Sequence, residues 1–344
     1  MVIYIIQFVA FLISDDVNEA TKKLILFSSF PILAILLPKS EIKVGIVFKY
    51  LFYGLLIILG HAVLRSTYDI IFYDVRFDYG RGPDLLLKYT PHHAYLSIYT
   101  LSSILTVSYL LGKSKIRNYH IIFLPILYLT LFLLPSRMAL IMGFSIVPIF
   151  MFIFFKDKYE PKKMIIIISF SLLVLSIIGF TIDFTRDKIL YTIYEILDVS
   201  TQEKPFYGIS RRELIWKSCI GLIKETPFLG YGIGDIQNIL NAQYIKNGFL
   251  EIKDMNCHNQ YLQNILQYGL FLSTIFLIKI LHIITQLYKK KEILLLSIWL
   301  IILSFCFTES IFNRQWGVVF FAVTLNLSLY RIYFNKIKLQ KNIN

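Results

Sequence analysis

The sequence predicts an all-α membrane protein, a polytopic transmembrane helix bundle with one large, partly helical loop on the outer side. Of its 344 residues, 56% are hydrophobic and only 17% are charged, whereas an average soluble protein has about 45–50% and about 25%. The apolar residues also occur in long runs, and about 20 consecutive apolar residues can cross a bilayer. We therefore expect a single membrane domain over residues 1–344, with the loop at 183–261.

The apolar runs define ten predicted spans. They fall at 2–14, 24–38, 46–64, 92–112, 119–135, 138–155, 164–182, 262–286, 293–311 and 316–333. The first two are short for a hydrocarbon core about 30 Å thick. The first lacks the basic start and cleavage site of a signal peptide, so we interpret it as a shortened N-terminal span.

Basic residues are concentrated on one side of this topology. The connections expected on the side of the N-terminus hold 16 Lys and Arg against 4 Asp and Glu, whereas the opposite connections hold 17 against 18. Such a bias marks the cytoplasmic side of a membrane protein and its contact with anionic lipids. The net charge of +13 is thus explained by topology, and we expect no nucleic-acid partner.

Most of the polar chemistry lies on the other, outer side. Residues 65–91 and 183–261 are the two long segments there. Within the second, residues 191–199 and 211–225 have the apolar spacing of amphipathic helices, and Thr226-Pro227 should end the latter.

Three arginines are candidate anion-binding residues. Arg137 interrupts a long apolar stretch at the outer end of two spans, where a charge is costly and often functional; alternatively it snorkels to the lipid headgroups. Arg211 and Arg212 stand in the first turn of the predicted helix, where cations oppose the helix dipole. They suit bidentate phosphate binding, although a solvated helix start is the simpler alternative.

His258 is the candidate catalytic residue. It precedes a span and is followed by Asn259, so an imidazole that can accept a proton near neutral pH would stand at the outer mouth of the bundle. His92 and His93 open another span, and His93 is a supporting candidate. No ligand spacing predicts a metal site.

Glu309 and Arg314 flank the outer end of a further span. They can pair with each other, or Glu309 can orient Arg or His side chains in a shared site. Both alternatives stay open.

Two other patterns have plainer interpretations. Residues 227–235, PFLGYGIGD, carry three alternate glycines but no preceding strand, so we expect a tight turn near a ligand or the bundle and not a nucleotide loop. The three cysteines form no CxxC pair, which disfavours a metal or redox motif.

Four segments together resemble the O-antigen ligase / O-antigen polymerase superfamily of bacterial inner-membrane glycosyltransferases. They are PSRMALIMG, SRRELIWKSCIGLIKETPFLGYGIGD, CHNQYLQNILQYGLF and TESIFNRQWGVVFF. The resemblance extends over about residues 92–333, and the family commonly has more spans than are counted here. We therefore expect that the chain starts late or lacks the first helices.

The resemblance implies metal-independent transfer, without a cofactor, from an undecaprenyl-diphosphate-linked glycan donor to lipid A-core or another glycan acceptor. It implies a multi-pass protein of the bacterial inner membrane, in contact with membrane lipids, whose active site faces the periplasm. His258 would activate the acceptor, and Arg137 with Arg211 or Arg212 would bind the diphosphate. Asn259, Glu309, Arg314 and His93 are the supporting residues of this site.

Three classes of function remain open, and the first, a glycosyltransferase of lipid-linked glycans, has two forms. An O-antigen ligase would pass finished polymer to lipid A-core, and a polymerase would join repeat units. A lipid-linked oligosaccharide flippase would also need a polytopic bundle, but transporters more often show repeated halves and polar residues at mid-membrane. A non-catalytic membrane partner is the third class.

Overall fold

The computed structural model describes residues 2–37, 42–73, 88–196 and 209–341, and these residues form helices and no strand. The predicted all-α class is therefore confirmed for them. The chain divides into two compact units, Lys43–Val199 and the combination of Met1–Ile42 with Ser200–Asn344. We call the first the central unit and the second the terminal unit.

The central unit contains seven α-helices within its described residues. They are α4 (Val44–Tyr73), α5 (His93–Gly112), α6 (Phe123–Leu133), α7 (Arg137–Phe144), α8 (Ile146–Phe155), α9 (Pro161–Thr181) and α10 (Asp183–Ile196). A 3₁₀ turn, Asn118–Ile122, precedes α6. The helix expected at 191–199 is the end of α10, and its last three residues lie outside the described residues, as does 74–87 of the first outer segment.

Helix α5 is the core of the central unit. It contacts α4, α6, α7 and α8, and 89% of its most apolar stretch is buried. Its buried Ser and Thr residues are small enough for close helix approach. Several of their hydroxyls, such as that of Thr100, donate to the carbonyl one turn earlier, which satisfies them inside an apolar helix.

Helix α9 has the opposite character, since only 11% of its apolar stretch is buried. Ile165, Ile166, Ile167 and Phe170 each expose more than half of their surface. An uninterrupted apolar surface of this kind is stable against lipid and not against water.

The terminal unit contains eight α-helices within its described residues. They are α1 (Val2–Leu12), α2 (Val17–Phe27), α3 (Ser29–Leu36), α11 (Ile209–Glu225), α12 (Gly232–Lys246), α13 (Gln260–Lys289), α14 (Ile293–Cys306) and α15 (Gln315–Lys341). Short 3₁₀ turns lie at Leu250–Ile252 and Ile311–Asn313. Helix α13 contacts α1, α11, α12, α14 and α15 and is the core of this unit.

Six helices of the described part of the chain are long and apolar enough to cross a membrane, which confirms a multi-pass protein. They are Val44–Phe72, His93–Gly112, Arg137–Phe155 (α7 and α8 taken together), Pro161–Thr181, Gln260–Lys289 and Gln315–Tyr333. Three further predicted spans correspond to shorter apolar helices, Val2–Leu12, Asn118–Leu133 and Ile293–Cys306. The count of ten spans is not confirmed.

The predicted span at 24–38 is not one helix. The structure has α2 and α3, which meet at Ser28. Pro31 explains the break, because proline cannot donate to the carbonyl four residues earlier, here that of Phe27, and its ring clashes with that carbonyl. Hydropathy alone does not register this interruption.

The glycine turn (residues 227–232) is inserted into a break in α13. Gly269 has φ +73° within α13. The carbonyl of Leu266 accepts from the N–H of Tyr231 at 2.7 Å, and the N–H of Leu270 donates to the carbonyl of Pro227 at 2.8 Å. The turn thereby satisfies the backbone groups that the broken helix leaves open.

The three alternate glycines are explained by close packing. A Cβ at Gly230 would lie 2.6 Å from the Gly269 nitrogen, and one at Gly234 would lie 2.3 Å from the Asp16 carbonyl oxygen. Gly232 is similarly close to Ser14. The prediction of a tight turn near the bundle is confirmed.

Candidate functional site

His258 lies in the segment between the second 3₁₀ turn and α13, and its backbone is left-handed, with φ +42°. A residue with a side chain rarely adopts this conformation, and where it does the surroundings hold it there. The side chain of Asn256 accepts from the His258 N–H at 2.9 Å. Asn259 caps α13, because its Oδ1 accepts from the N–H groups of Tyr261 and Leu262 at 3.0 and 3.1 Å.

The residue before His258 is fixed from two sides. The indole Nε1 of Trp216 donates to the carbonyl of Cys257 at 3.1 Å, and the Cys257 N–H donates to Gln263 Oε1 at 3.2 Å. Trp216 belongs to α11 and Gln263 to α13. These bonds connect both helices to the backbone that carries the histidine.

Glu309 joins His258 to Arg212. Its Oε2 lies 3.2 Å from His258 Nδ1, and its Oε1 lies 3.4 Å from Arg212 Nη2. The Glu309 side chain is only 14% exposed, against 27% for His258 and 28% for Arg212. Partial burial lowers the effective dielectric and strengthens such charge–charge contacts relative to open water.

The carboxylate also fixes the imidazole. A hydrogen bond to Nδ1 defines the ring orientation and favours the tautomer with its proton on that nitrogen. Nε2 of His258 has no hydrogen bond to another described residue. The arrangement can therefore present a basic nitrogen beside a guanidinium group.

Helix α11 carries the arginines. The predicted helix is confirmed, although it begins at Ile209, two residues earlier than expected, and it ends at Glu225 before Thr226-Pro227. Arg211 and Arg212 are both half-buried. Arg212 Nε is buried without a hydrogen-bond partner among the described residues, and such an unsatisfied donor calls for an explanation.

An apolar cluster packs α11 against α12. Ile215, Cys219 and Leu222 of α11 pack with Leu240 and Tyr244 of α12, as their spacing of three to four residues predicts. Burial raises the pKa of the Tyr244 phenol and of the Cys257 thiol well above their ordinary values. Both groups therefore stay protonated at neutral pH.

A cavity of about 180 Å³ lies within the terminal unit, among α13, α14 and α15. Its wall is mainly apolar, with Phe276, Ile280 and Phe321, and carries Gln260 and Asn264 as polar members. Gln260 Oε1 accepts from the N–H of Phe312 at 2.7 Å. This bond joins the start of α13 to the segment that follows Glu309.

Residues 121–277 match the family model described as O-Antigen ligase. This region of the chain is similar to O-antigen ligases. The match covers slightly less than half of the chain, and it confirms the resemblance seen in the sequence. A comparison with curated proteins finds no significant match.

The O-antigen ligase match includes the principal predicted site residues but not all supporting ones. Arg137, Arg211, Arg212, His258 and Asn259 lie inside it. The region ends before the segment that holds Glu309 and Arg314, and it begins after His93. Glu309 thus enters the site through its contacts with His258 and Arg212 and not through this match.

The remaining predicted residues are found in three places. Arg314 is exposed and precedes α15, in the same unit as Glu309. Arg137 is the first residue of α7 and half-buried, and Ser136 caps that helix through the Ala139 N–H at 3.2 Å. His93 begins α5, and its ring lies 4.0 Å from that of His92, measured between centroids.

Sequence reasoning missed the residues that position the site. Trp216 and Gln263 hold Cys257, and Gln260 reaches Phe312. These are contacts between segments far apart in the chain, and polar residues at span ends give no local signal of them. Two glutamines near the start of an apolar span are the single available hint, because buried amides need partners.

Proposed function

We propose that the protein is an O-antigen ligase-type glycosyltransferase. It would move a glycan from an undecaprenyl-diphosphate carrier to lipid A-core at the periplasmic face of the inner membrane. The observation that carries the proposal is the contact of one carboxylate, Glu309, with both Arg212 and His258. The O-antigen ligase match over 121–277 supplies the reaction class.

The proposed step needs no metal. His258 Nε2 takes the proton of the acceptor hydroxyl, whose oxygen attacks the anomeric carbon of the donor glycan. The bond from that carbon to the diphosphate oxygen breaks, and undecaprenyl diphosphate leaves with the electron pair. Glu309 stabilises the imidazolium that forms, as a carboxylate does for a catalytic histidine.

Arginine donors stabilise the leaving group. Negative charge develops on the diphosphate as the bond breaks, and preorganised donors in a part-buried site are effective there. Arg212 is assigned this role ahead of Arg211 because it shares Glu309 with the histidine. Arg137 and Arg211 are proposed as further diphosphate ligands, with Asn259, Arg314 and His93 in support.

The apolar cavity is suited to hydrocarbon. A dry cavity of about 150 Å³ accepts a molecule the size of benzene, so about 180 Å³ accommodates a short piece of an isoprenyl chain. The cavity is formed by α13, the helix that Asn259 caps, and by the helices that pack against α13. This location supports a lipid-linked donor whose diphosphate would lie near Arg212.

Paired substitutions test the proposal. His258→Ala should lower the rate of glycan transfer by about 10²–10⁴-fold, the usual contribution of a general base. His282→Ala, which removes an exposed histidine of α13, should leave the rate of glycan transfer unchanged. Arg212→Ala should also abolish most transfer, whereas Arg117→Ala at an exposed position should not. Full transfer by well-inserted His258→Ala protein would contradict the assignment.

A lipopolysaccharide gel separates the alternatives. In a deletion strain, loss of all O-antigen with polymer left on the carrier identifies a ligase. Cores capped with a single repeat identify the polymerase of the same superfamily. Translocation of labelled lipid-linked sugar by reconstituted protein, without glycan transfer, identifies a flippase.

A further inference from the structure

Two cysteines that are distant in sequence meet beneath the site. Cys219 of α11 and Cys257 beside His258 have their sulfur atoms 3.0 Å apart. Neither residue is exposed to solvent. Both belong to the apolar cluster against which Trp216 packs.

The surroundings of the pair indicate what it can do. Among the described residues, no three His, Cys, Asp or Glu side chains are grouped so that they could hold a metal ion. A structural zinc site would need four such ligands. The two thiols therefore have each other as the partner for covalent chemistry, and closing the gap to a disulfide of about 2.05 Å requires a movement of about 1 Å.

We propose that Cys219 and Cys257 form a structural disulfide that ties the arginine helix α11 to the segment carrying His258. The inference rests on the periplasmic placement of this segment in the proposed function. Disulfides form and persist in the bacterial periplasm and are rare in the cytosol.

The chemistry is a thiol–disulfide exchange with a disulfide-carrying protein oxidant of the envelope. One cysteine thiolate attacks that disulfide and forms a mixed disulfide, and the second cysteine displaces the oxidant. Cys219 and Cys257 lose two protons and two electrons, and the oxidant leaves as a dithiol. Exchange must precede closure of the apolar cluster, because burial afterwards excludes the oxidant and disfavours the Cys257 thiolate.

The bond would position the site. Trp216 already bonds the carbonyl of Cys257 at 3.1 Å, and Arg212 lies one helical turn before Trp216. A covalent link from Cys219 would hold α11 and the His258 backbone together when the membrane or a substrate moves. Cys219 and Cys257 are therefore positioning residues, and neither contacts the reacting atoms.

Cys306, the remaining cysteine of the chain, provides an internal standard for the test. Membranes are quenched with acid, denatured, and treated with a maleimide–polyethylene glycol before or after reduction, and adducts are counted by gel shift. Wild type should carry one adduct before reduction and three after it. Cys306→Ser should carry none and then two, and Cys219→Ser and Cys257→Ser should each carry two in both conditions.

Three adducts on unreduced wild-type protein would overturn the inference. So would a disulfide-linked dimer on a non-reducing gel that disappears in the Cys219→Ser protein. Glycan transfer is measured on the same membranes, which separates this inference from the proposed function. If wild-type protein transfers glycan while Cys219 and Cys257 are free thiols, only the disulfide proposal is refuted. If the disulfide is present but no glycan is transferred, only the glycosyltransferase proposal is refuted.

Discussion

At the scale of single residues, His258 illustrates how the backbone places a reactive group. Its backbone has φ +42° and stands between two anchored neighbours, Cys257 and Asn259. A left-handed conformation costs an L-residue about 1–2 kcal/mol. The bonds from Trp216 and Gln263 and the cap formed by Asn259 offset that cost.

We expect this conformation to be visible in stability measurements. His258→Gly should be more stable than His258→Ala by about 1 kcal/mol, because glycine adopts positive φ without a steric penalty. Both proteins should be inactive. Thermal unfolding of the two variants in the same detergent measures the difference, and equal stability would show that the backbone is relaxed at this position.

Glu309 allows a second test at this scale. Glu309→Gln keeps the shape of the side chain but removes the charge that contacts His258 and Arg212. We expect transfer to fall by at least about 10²-fold, since the imidazolium loses its counter-charge. Glu251→Gln, at an exposed glutamate of the same unit, is the control, and unchanged kinetics of Glu309→Gln would remove Glu309 from the mechanism.

At the scale of helices, the glycine turn and α13 form one joint. Gly269 breaks α13, and the turn supplies the missing backbone partners. The same turn then begins α12, whose Asp235 accepts from the N–H groups of Asp15 and Asp16 at 2.8 Å each. Helices α1, α2, α12 and α13 are thus connected through a single short segment.

Gly269→Ala should disrupt this joint. A Cβ there would lie 1.9 Å from the carbonyl oxygen of Phe228, and φ +73° is unfavourable for alanine. We expect a loss well above 1 kcal/mol in the free energy of unfolding and a lower yield of folded protein. The control is Gly54→Ala on α4, where nothing lies within 4 Å of a new Cβ and alanine favours the helix by up to about 1 kcal/mol. Comparable yields of the two variants would show that the packing of Gly269 against the glycine turn is not required for folding.

At the scale of the whole molecule, the charge bias predicts how the protein lies in the membrane. Lys246 ends α12, before the segment that holds His258, and Lys289 ends α13, which follows that segment and is long enough to cross the bilayer. The two positions should therefore face opposite sides. The basic connections, including 287–292, should be cytoplasmic.

Cysteine mapping measures this orientation. In a protein whose three natural cysteines are replaced, Lys246→Cys should react with an impermeant thiol reagent from outside the cell. Lys289→Cys should react only after the membrane is permeabilised. Both residues are exposed, so burial does not explain a difference in labelling. The reverse pattern would show that the topology is inverted and that the site does not face the periplasm.

The sequence by itself determined the membrane class, helix α11, the tight glycine turn and the O-antigen ligase resemblance. These follow from composition, apolar periodicity and local motifs, which act over a few turns of chain. Hydropathy overestimated the second span, because a run of apolar residues does not reveal a helix broken at Ser28.

Only the tertiary structure decided which polar groups meet. Glu309 could pair with Arg314 or serve a shared site, and packing placed it against Arg212 and His258. The neighbouring thiols of Cys219 and Cys257 likewise come from segments 38 residues apart. Contacts of this kind depend on how α11, α13 and α14 pack, and that arrangement is set by many weak apolar contacts that no single motif encodes.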